Sequence, residues 1–464
     1  MSEPEYGDGR KAYAVRKIHL GIFDINTLNQ MTQGLWAHPD NESYRYKELS
    51  FWIELAQLLE RGLFDFMFFA DSYGYPNQKR ELSYREAVYA PSNDPMLLIP
   101  ALAAATKHLA FVTTASPVYE LPYPNARRFS TLDHLTGGRI GWNVVATGGI
   151  SGAEAFGRDG ILPHDERYEQ AEEFMEASYK LFEGSWADDA VVGDKQRRYY
   201  ADSSKVRIVE HEGRHYRMKG AHSSEPSVQR TPVIFQAGSS ERGRDFAAKH
   251  AEGVFLKAPT VEALRAQVLD IRRRAAAFGR GPEEIKIFTG LSAVVGRTKE
   301  EAQRKLESYR AYASREAALL TYENSTGIDL AALDPDAPFV NVKTEQGLSH
   351  TERYTKHSGS VQTVRDVMDN FASKEFRGIT IAGTADEIAD RMQYWVEETG
   401  IDGFNLERYV LPGGHRDFVD QVVPVLQKRG MFRERYEESS LRERLFGKGT
   451  ARLADSHPGA AYRI

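Results

Sequence analysis

Short apolar runs alternate along the chain with stretches of helical periodicity. In Tyr46–Arg61 and Arg167–Phe182, apolar residues recur at helical spacing and define one face of a helix. Strand-like runs and helical stretches alternate from end to end, so the pattern predicts an α/β fold with a parallel sheet. The strand-like runs are short, apolar and bounded by polar residues: Lys17–Phe23, Phe66–Ala70, Leu109–Thr114, Arg139–Val145, Pro232–Ala237, Gly253–Leu256, Lys286–Val295 and Gly403–Leu406.

A closed barrel and an open sheet both fit this alternation. About eight strands is the number that closes a (β/α)8 TIM barrel. The alternative is an open doubly wound sheet, in which a Gly-x-Gly-x-x-Gly fingerprint commonly follows the first strand. No such fingerprint follows Lys17–Phe23. The sequence therefore favours the barrel.

Three segments depart from the regular alternation within a single barrel domain, residues 1–464. Residues 187–222 are charged and contain an alternating stretch, which predicts a rim insertion that forms a hairpin. Residues 308–377 include a helix and then a long polar loop, Asp334–Val361. Loops of that length are uncommon in compact domains and indicate a lid insertion. The polar tail, residues 431–464, predicts a C-terminal arm on the surface or on a partner subunit.

Composition narrows the chemistry. The chain has no cysteine, which excludes disulfides, thiolate nucleophiles and cysteine-ligated metals, so redox chemistry would require a bound cofactor. The net charge of -6 comes from segments of mixed sign, and no nucleic acid partner is expected. No apolar run approaches the roughly 20 residues that span a bilayer. The N-terminus also lacks the apolar core of a signal peptide. We therefore expect a soluble, cytoplasmic protein with no membrane association.

Polar residues follow several of the predicted strands. Asp71 comes just after one of them, Thr114 and Ser116 end a second, and Asn143 and Thr147 end a third. Residues at the carboxyl ends of barrel strands point into the active site. We therefore expect these side chains to meet at one end of the barrel.

A phosphate site is predicted where the run Pro232–Ala237 ends. Gly238, Ser239 and Ser240 lead into a helical pattern, which offers hydroxyls and free backbone N–H groups to an anion. The alternative is that one serine merely caps the helix. His164 and Tyr168, four residues apart at the start of another helix, can face one ligand; simple capping of that helix is again the alternative.

Two other chemistries have less support. His211 and His215 are spaced like a pair of metal ligands, but no carboxylate or third histidine is fixed nearby, so no metal site is predicted. A serine hydrolase would need a Gly-x-Ser-x-Gly turn after a strand, and the sequence has none.

Taken together, six segments resemble the bacterial luciferase-like flavin-dependent monooxygenases. The similarity covers nearly the whole chain. It is strongest to the branch that contains nitrilotriacetate, dibenzothiophene sulfone, dimethyl sulfide and long-chain alkane monooxygenases. The segments are Phe69–Asp71, Ala126–Arg139, Gly141–Val145, His164–Tyr168, Pro232–Ser240 and Asp402–Leu406.

The resemblance implies a two-component enzyme. Reduced FMN, supplied by a separate NAD(P)H:flavin reductase, would react with O2 to give a flavin C4a-(hydro)peroxide that oxygenates a small organic sulfur, nitrogen or aromatic compound. It also implies a homodimer or homotetramer. Two rivals stay open: a deazaflavin-dependent dehydrogenase on the same barrel, and a flavin-binding protein without turnover.

The resemblance also implies roles for individual residues, although it names no catalytic residue. Asp71 and Thr147 would lie near the flavin ring and ribityl chain, whereas Tyr168 and Ser240 would hold the phosphate. Further candidates for contact with the cofactor are Thr114, Ser116, Asn143, His164, Gly238 and Ser239.

The substrate pocket departs from that of the alkane enzyme. Thr27 and Gln30 stand where that enzyme has a functional cysteine and histidine, and Gly148 stands where it has a second histidine. Alkane hydroxylation is therefore not carried over to this chain.

Aromatic residues suggest a different substrate. Tyr73, Tyr75 and Tyr89, with Phe23 at the end of the first strand, would suit a flat or compact apolar molecule, and Thr27 and Gln30 would complete the predicted pocket. The alternative is that some of these tyrosines only pack the loops.

Overall fold

The structure, a computed structural model, describes residues 16–29, 32–238, 240–258, 260–340, 351, 354–355, 361–374 and 378–464, except for the side chains of 373 and 374. Each predicted strand is present, with its bounds within two residues of those predicted. The strands are β1 His19–Asp24, β2 Phe66–Phe69, β3 Ala110–Ala115, β4 Ile140–Val144, β5 Val191–Asp194, β6 Tyr199–Ala201, β7 Val209–Glu212, β8 Arg217–Gly220, β9 Val233–Gln236, β10 Gly253–Leu256, β11 Lys286–Val295, β12 Ile379–Gly383 and β13 Gly403–Glu407.

Eight of these strands close into a parallel barrel, which confirms the predicted (β/α)8 fold. Their order is β10-β9-β4-β3-β2-β1-β13-β11, and β10 pairs with β11 to close the ring. The register places Glu407 beside Phe23 and Gly253 beside Lys286. An unpredicted strand, β12, extends the sheet outside the ring by pairing with the second half of β11.

Helices surround the barrel. The first begins at Leu49 rather than at the predicted Tyr46, which lies in a preceding 3-10 turn. In the described ranges, no helix is both long and apolar enough to cross a membrane. The helices are α1 Leu49–Arg61, α2 Arg80–Arg85, α3 Ile99–Ala105, α4 Pro122–Thr136, α5 Ile150–Ala155, α6 His164–Gly184, α7 Glu241–His250, α8 Val261–Ala277, α9 Lys299–Ala311, α10 Arg315–Thr326, α11 Val364–Lys374, α12 Ala385–Thr399, α13 Gly413–Asp417, α14 Val423–Lys428 and α15 Leu441–Phe446.

Phenylalanine rings fill the inside of the barrel because glycine stands next to them. A Cβ on Gly21 would lie 2.3 Å from the Phe66 ring, and one on Gly253 would lie 2.4 Å from the Phe235 ring. The Phe66 and Phe235 rings contact each other edge to face at 5.3 Å. The barrel is therefore a packed core below its mouth and not an open pore.

The C-terminal segment seals the other end of the barrel. Leu441 and Leu445 on α15 join the cluster of interior phenylalanines. Arg444 donates hydrogen bonds to the carbonyls of Asp65, the residue before β2, and of His108, which lies two residues before β3. This helix is buried against the barrel of its own chain, so the expectation of a surface arm at 431–464 is corrected there.

The other two segments that interrupt the regular alternation of strands and helices also contain regular secondary structure. Residues 187–222 contain two antiparallel hairpins, β5–β6 and β7–β8, where a single hairpin is predicted. Residues 308–377 contain α10 and α11, which share a small apolar core that includes Tyr322 and Phe371. Of the polar loop predicted at Asp334–Val361, residues 341–350, 352–353 and 356–360 lie outside the described residues.

Candidate active site

The carboxyl ends of the barrel strands carry most of the predicted site residues. Parallel strands end on the same side, so the loops after β2, β3, β4 and β9 share one mouth. Among the predicted residues, Ser239 and Gln30 lie outside the described part of the chain.

A tight cleft forms where β9 leads into α7. Ser240 caps the helix, and its hydroxyl accepts a hydrogen bond from the Gly243 N–H at 3.1 Å. His164 Nε2 lies 3.1 Å from the same hydroxyl. A Cβ on Gly238 or Gly243 would lie 2.8 or 2.7 Å from the Tyr168 hydroxyl, so side chains there would fill the cleft. The structure thus brings together four of the predicted residues.

This cleft has the properties that a phosphate group requires. The first backbone N–H groups of α7 point out of the helix and favour negative charge. Burial raises the pKa of Tyr168, although hydrogen bonds with Ser240 and Gln236 act in the opposite direction, so the phenol remains a neutral group near pH 7. The alternative role predicted for a serine here is confirmed, because Ser240 caps α7.

Asp71 lies at the mouth two residues after β2. Burial raises the pKa of its carboxyl to about 6; the Ser72 N–H, which donates to it at 2.9 Å, lowers the pKa, and the like charge of Asp94 raises it further. A carboxyl with this pKa changes its charge close to neutral pH. Asp71 is therefore a titratable group at the mouth.

The predicted site residues at the carboxyl ends of β3 and β4 form hydrogen bonds with each other and with nearby backbone groups. Thr114 donates to the Phe69 carbonyl at 2.9 Å and accepts from the Asn143 side chain at 2.9 Å. Ser116 accepts from the Val118 N–H at 3.3 Å. The Thr114 and Ser116 hydroxyls thus already bind other groups of the chain, whereas the buried Asn143 Oδ1 has no hydrogen-bond partner among the described residues.

Thr147 lies farther along the loop after β4. Its hydroxyl donates to the Val145 carbonyl at 3.3 Å, and the residue is half-buried. Its neighbour Gly148 lies against the Arg167 guanidinium, since a Cβ on Gly148 would lie 1.9 Å from Arg167 Nη1. No side chain fits at position 148 while Arg167 keeps this position.

The predicted pocket residues separate into different groups. Thr27 is buried, and its hydroxyl donates to the Pro91 carbonyl at 2.6 Å, so it links two loops. Tyr73 and Tyr75 are partly exposed and donate to Glu120 and Glu154, each at 2.7 Å.

Two rings extend the aromatic surface around Tyr73. Tyr119 and Phe156 stack at 4.6 Å, and both contact the Tyr73 ring edge to face. Tyr89 lies elsewhere: its hydroxyl is 2.6 Å from Ser325 on α10. The tyrosines therefore line two separate parts of the mouth rather than one pocket.

Sequence reasoning missed two buried ion pairs at the mouth. Glu407 ends β13 and lies 2.5 Å from the Lys257 ammonium, and Asp24 ends β1 and lies 3.1 Å from Arg408. The same rule that selected Asp71, a charged residue at the end of a strand, could have found Asp24, Lys257 and Glu407.

The histidine pair offers no metal site. His211 Nε2 lies 3.2 Å from a Glu173 carboxylate oxygen, and the His215 backbone N–H donates to the same carboxylate. Within the described residues, no group of three or more potential ligands could hold a metal ion.

Comparison with known proteins gives consistent matches over the whole chain. Residues 29–403 match the family model of luciferase-like monooxygenases. The long-chain alkane monooxygenase of Geobacillus thermodenitrificans is 48% identical over 452 residues, 97% of this chain and 98% of that enzyme. The dimethyl-sulfide monooxygenase of Hyphomicrobium sulfonivorans is 44% identical over 457 residues, 97% of this chain and 94% of that enzyme.

The fold matches solved structures equally well. A riboflavin lyase, crystallised with a modified FMN and its substrate riboflavin, superposes with a TM-score of 0.93 at 38% identity, covering 97% of this chain and 100% of that chain. On these matches, the chain belongs to the luciferase-like monooxygenase family.

Proposed function

We propose that this protein is the oxygenase of a two-component flavin monooxygenase. It would take reduced FMN from a separate NAD(P)H:flavin reductase and use O2 to oxygenate a small organic sulfur, nitrogen or aromatic compound. We propose the cytoplasm as its location and a homodimer or homotetramer as its assembly. The observation that carries the proposal is the cleft formed by His164, Tyr168, Gly238 and Ser240.

The cleft fits the phosphate of FMN. It combines a helix N-terminus, a serine hydroxyl, an imidazole and a neutral phenol, and a Cβ at Gly238 would close it. Bound reduced flavin supplies the electrons that activate O2. The tasks left to the chain are to hold the phosphate, orient the ring over the mouth and exclude water.

We further propose that residues 308–377 cover the mouth. The α10 unit is bound to the loop after β2: Lys79 lies 2.7 Å from Glu323, and Tyr89 contacts Ser325. The apolar side chains Val88, Ala317 and Leu320 pack together at the same contact. A cover fixed by both charge and apolar contact would keep water from the bound cofactor.

The aromatic surface supports the proposed substrate class. Tyr73, Tyr119 and Phe156 present ring faces and edges beside the loop after β4, and a flat molecule packs well on such a surface. Related enzymes act on a long-chain alkane, dimethyl sulfide and riboflavin. Riboflavin is itself a flat nitrogen heterocycle, so it belongs in the first set of compounds to test.

The test is oxygen incorporation from 18O2. Purified protein, FMN, NADH and an unrelated flavin reductase would be incubated with sulfides, sulfones, N-heteroaromatics including riboflavin, aminopolycarboxylates and alkanes. We expect a product that carries one 18O atom, or a fragment from cleavage at a C–S or C–N bond. Substrate-dependent reduction of an added oxidised deazaflavin in an anaerobic sample without FMN would instead support the deazaflavin dehydrogenase. Flavin binding with no product from any compound would support the non-catalytic alternative.

A further inference from the structure

An ion pair lies inside the barrel mouth and takes no part in the proposed phosphate site. Lys257 is the first residue after β10, and Glu407 is the last residue of β13. The Lys257 ammonium lies 2.5 Å from Glu407 Oε1. The two residues belong to strands on either side of β11, so their side chains meet across that strand, inside the ring.

A glycine on the intervening strand makes this contact possible. A Cβ on Gly290 would lie 2.5 Å from Glu407 Oε1 and 2.9 Å from its carboxyl carbon. Any side chain at position 290 would therefore displace the Glu407 carboxylate. Glycine at position 290 thus leaves the space through which Glu407 on β13 reaches Lys257 at the end of β10.

The two ends of the pair differ in exposure. The Glu407 side chain is fully buried, whereas 25% of the Lys257 side chain is exposed. A buried carboxylate is costly without a cation, so Glu407 holds the lysine in place. The positive end of the pair is the end that faces the mouth.

Aromatic rings form the surface beneath the ammonium. Lys257 Nζ lies 5.5 Å from the centre of the Phe23 ring and 5.3 Å from that of Phe255. These rings stack on each other at 5.8 Å. Such cation–π contacts fix the ammonium further over a flat apolar surface.

The pair stands next to the proposed phosphate cleft. Strands β9 and β10 are neighbours in the ring, with Gly253 beside Phe235 and Val254 beside Gln236. The loops that carry Ser240 and Lys257 therefore leave the same edge of the barrel. The Lys257 ammonium and the Phe23 ring thus lie at the same end of the barrel as the loop that carries Ser240.

We propose that Lys257, positioned by Glu407, is the cation that makes this site prefer reduced over oxidised FMN. This inference rests on the proposed function. Reduced flavin carries a negative charge on its ring near neutral pH, whereas the oxidised ring is neutral, and protein charge near the ring nitrogens is a main means of tuning it. An ammonium fixed at the mouth lowers the free energy of the anionic form selectively.

The test is anaerobic titration of both redox forms of FMN. We expect Lys257→Gln to weaken the binding of reduced FMN about tenfold and that of oxidised FMN less than about twofold, as loss of one charge interaction predicts. The Lys257→Arg variant keeps the charge and should restore most of the preference. The absorbance spectrum of the bound reduced flavin should shift from the anionic towards the neutral form in Lys257→Gln.

Two further variants separate this role from a structural one. The Lys257→Gln/Glu407→Gln double variant removes both charges, leaves no unpaired buried carboxylate and should show the same loss of preference. The matched control is Lys286→Gln, because Lys286 lies over the Phe446 ring and pairs with Glu283 at the opposite end of the barrel. That variant should bind both forms like the original protein.

The outcomes are distinct. If the double variant keeps the original ratio of the two dissociation constants, the inference about Lys257 is overturned and the proposed function stands. If the unchanged protein binds neither form of FMN, the proposed function fails and the inference fails with it.

Discussion

Two aspartates at opposite ends of β2 face different surroundings. Asp65, just before the strand, accepts a hydrogen bond from the Leu20 N–H at 2.7 Å and pairs with Arg433 at 2.5 Å and with His19 at 3.1 Å. Asp71, just after the strand, accepts one from the Ser72 N–H at 2.9 Å. Within the described ranges, no lysine or arginine lies within ion-pair distance of Asp71.

Both carboxyls are shielded from water, but their pKa values shift in opposite directions. Burial alone would raise the pKa of both carboxyls, but Arg433 and His19 bring the pKa of Asp65 well below its usual range. At Asp71 burial prevails and the pKa rises to about 6. The sealed end of the barrel has satisfied charges that stabilise the fold. The open end keeps a carboxyl that is costly to ionise, which is the pattern of a functional site.

The largest expected effect is at the sealed end. Asp65→Asn removes the buried carboxylate that pairs with the half-buried Arg433 and should lower the free energy of unfolding at pH 7 by about 3 kcal/mol. Because the folded-state pKa of Asp65 is lowered, its contribution is present above the unfolded pKa and is lost as pH falls through the folded pKa. Urea denaturation of both proteins at pH 7 and pH 4 measures this; because pH 4 lies well above the folded-state pKa, most of the difference should persist there.

A loss of less than about 1 kcal/mol at pH 7 would contradict this account of Asp65. The control is FMN affinity, which should be unchanged in the folded variant because Asp65 lies at the end of β2 opposite the mouth.

The next effect concerns the phosphate cleft. Tyr168→Phe removes one hydroxyl and should weaken FMN binding about tenfold, which corresponds to roughly 1.4 kcal/mol. Riboflavin has the same ring without the phosphate, so its affinity should change less than about twofold. Fluorescence titration with both ligands measures the two affinities. Equal losses for FMN and riboflavin would place the phosphate elsewhere.

The third effect sharpens the comparison directly. Asp71→Asn removes a carboxyl whose pKa is raised, so it should increase the free energy of unfolding at pH 7 by about 1 kcal/mol, after allowance for its partial exposure. The unfavourable contribution of Asp71 develops as pH rises from the unfolded pKa to about 6. A profile of riboflavin affinity against pH, in which no phosphate titrates, should show a step near pH 6 that the variant lacks. A step that persists in the variant would exclude Asp71 as its source.

The smallest effect is at the exposed rim. Tyr75→Phe removes a hydroxyl that donates to Glu154 at 2.7 Å where the ring is 43% exposed. Exposed polar contacts contribute little, so the stability of the protein should be almost unchanged. Thermal unfolding checks this. A large decrease would show that the loop after β2 is held more firmly than its exposure indicates.

The barrel could be read from the sequence because its strands are buried on both faces. Such strands form continuous apolar runs, and all eight were found within two residues of their ends. Strand β12 was missed because it lies outside the ring and alternates between buried and exposed positions. Residues 431–464 were predicted to be an arm on the surface or on a partner subunit because the segment is polar, whereas Arg442 and Arg444 on α15 are buried in the chain itself.

Part of the candidate site could also be predicted from the sequence. The phosphate cleft is built from short motifs, so Tyr168 and Ser240 could be selected together. Lys257 and Glu407 come from strands far apart in the chain, and their pairing depends on the closed ring and on Gly290. The hydrogen bond from the Thr27 hydroxyl to the Pro91 carbonyl likewise joins two loops whose contact no sequence motif marks.

The most direct test of the central claim is an anaerobic titration with reduced FMN, run beside one with a reduced deazaflavin cofactor. The account predicts saturable binding of reduced FMN with a Kd of about 1 µM or below. It also predicts that Tyr168→Phe weakens this binding and that the deazaflavin binds far less tightly. Absence of saturable binding by reduced FMN, or clear preference for the deazaflavin, would contradict the account.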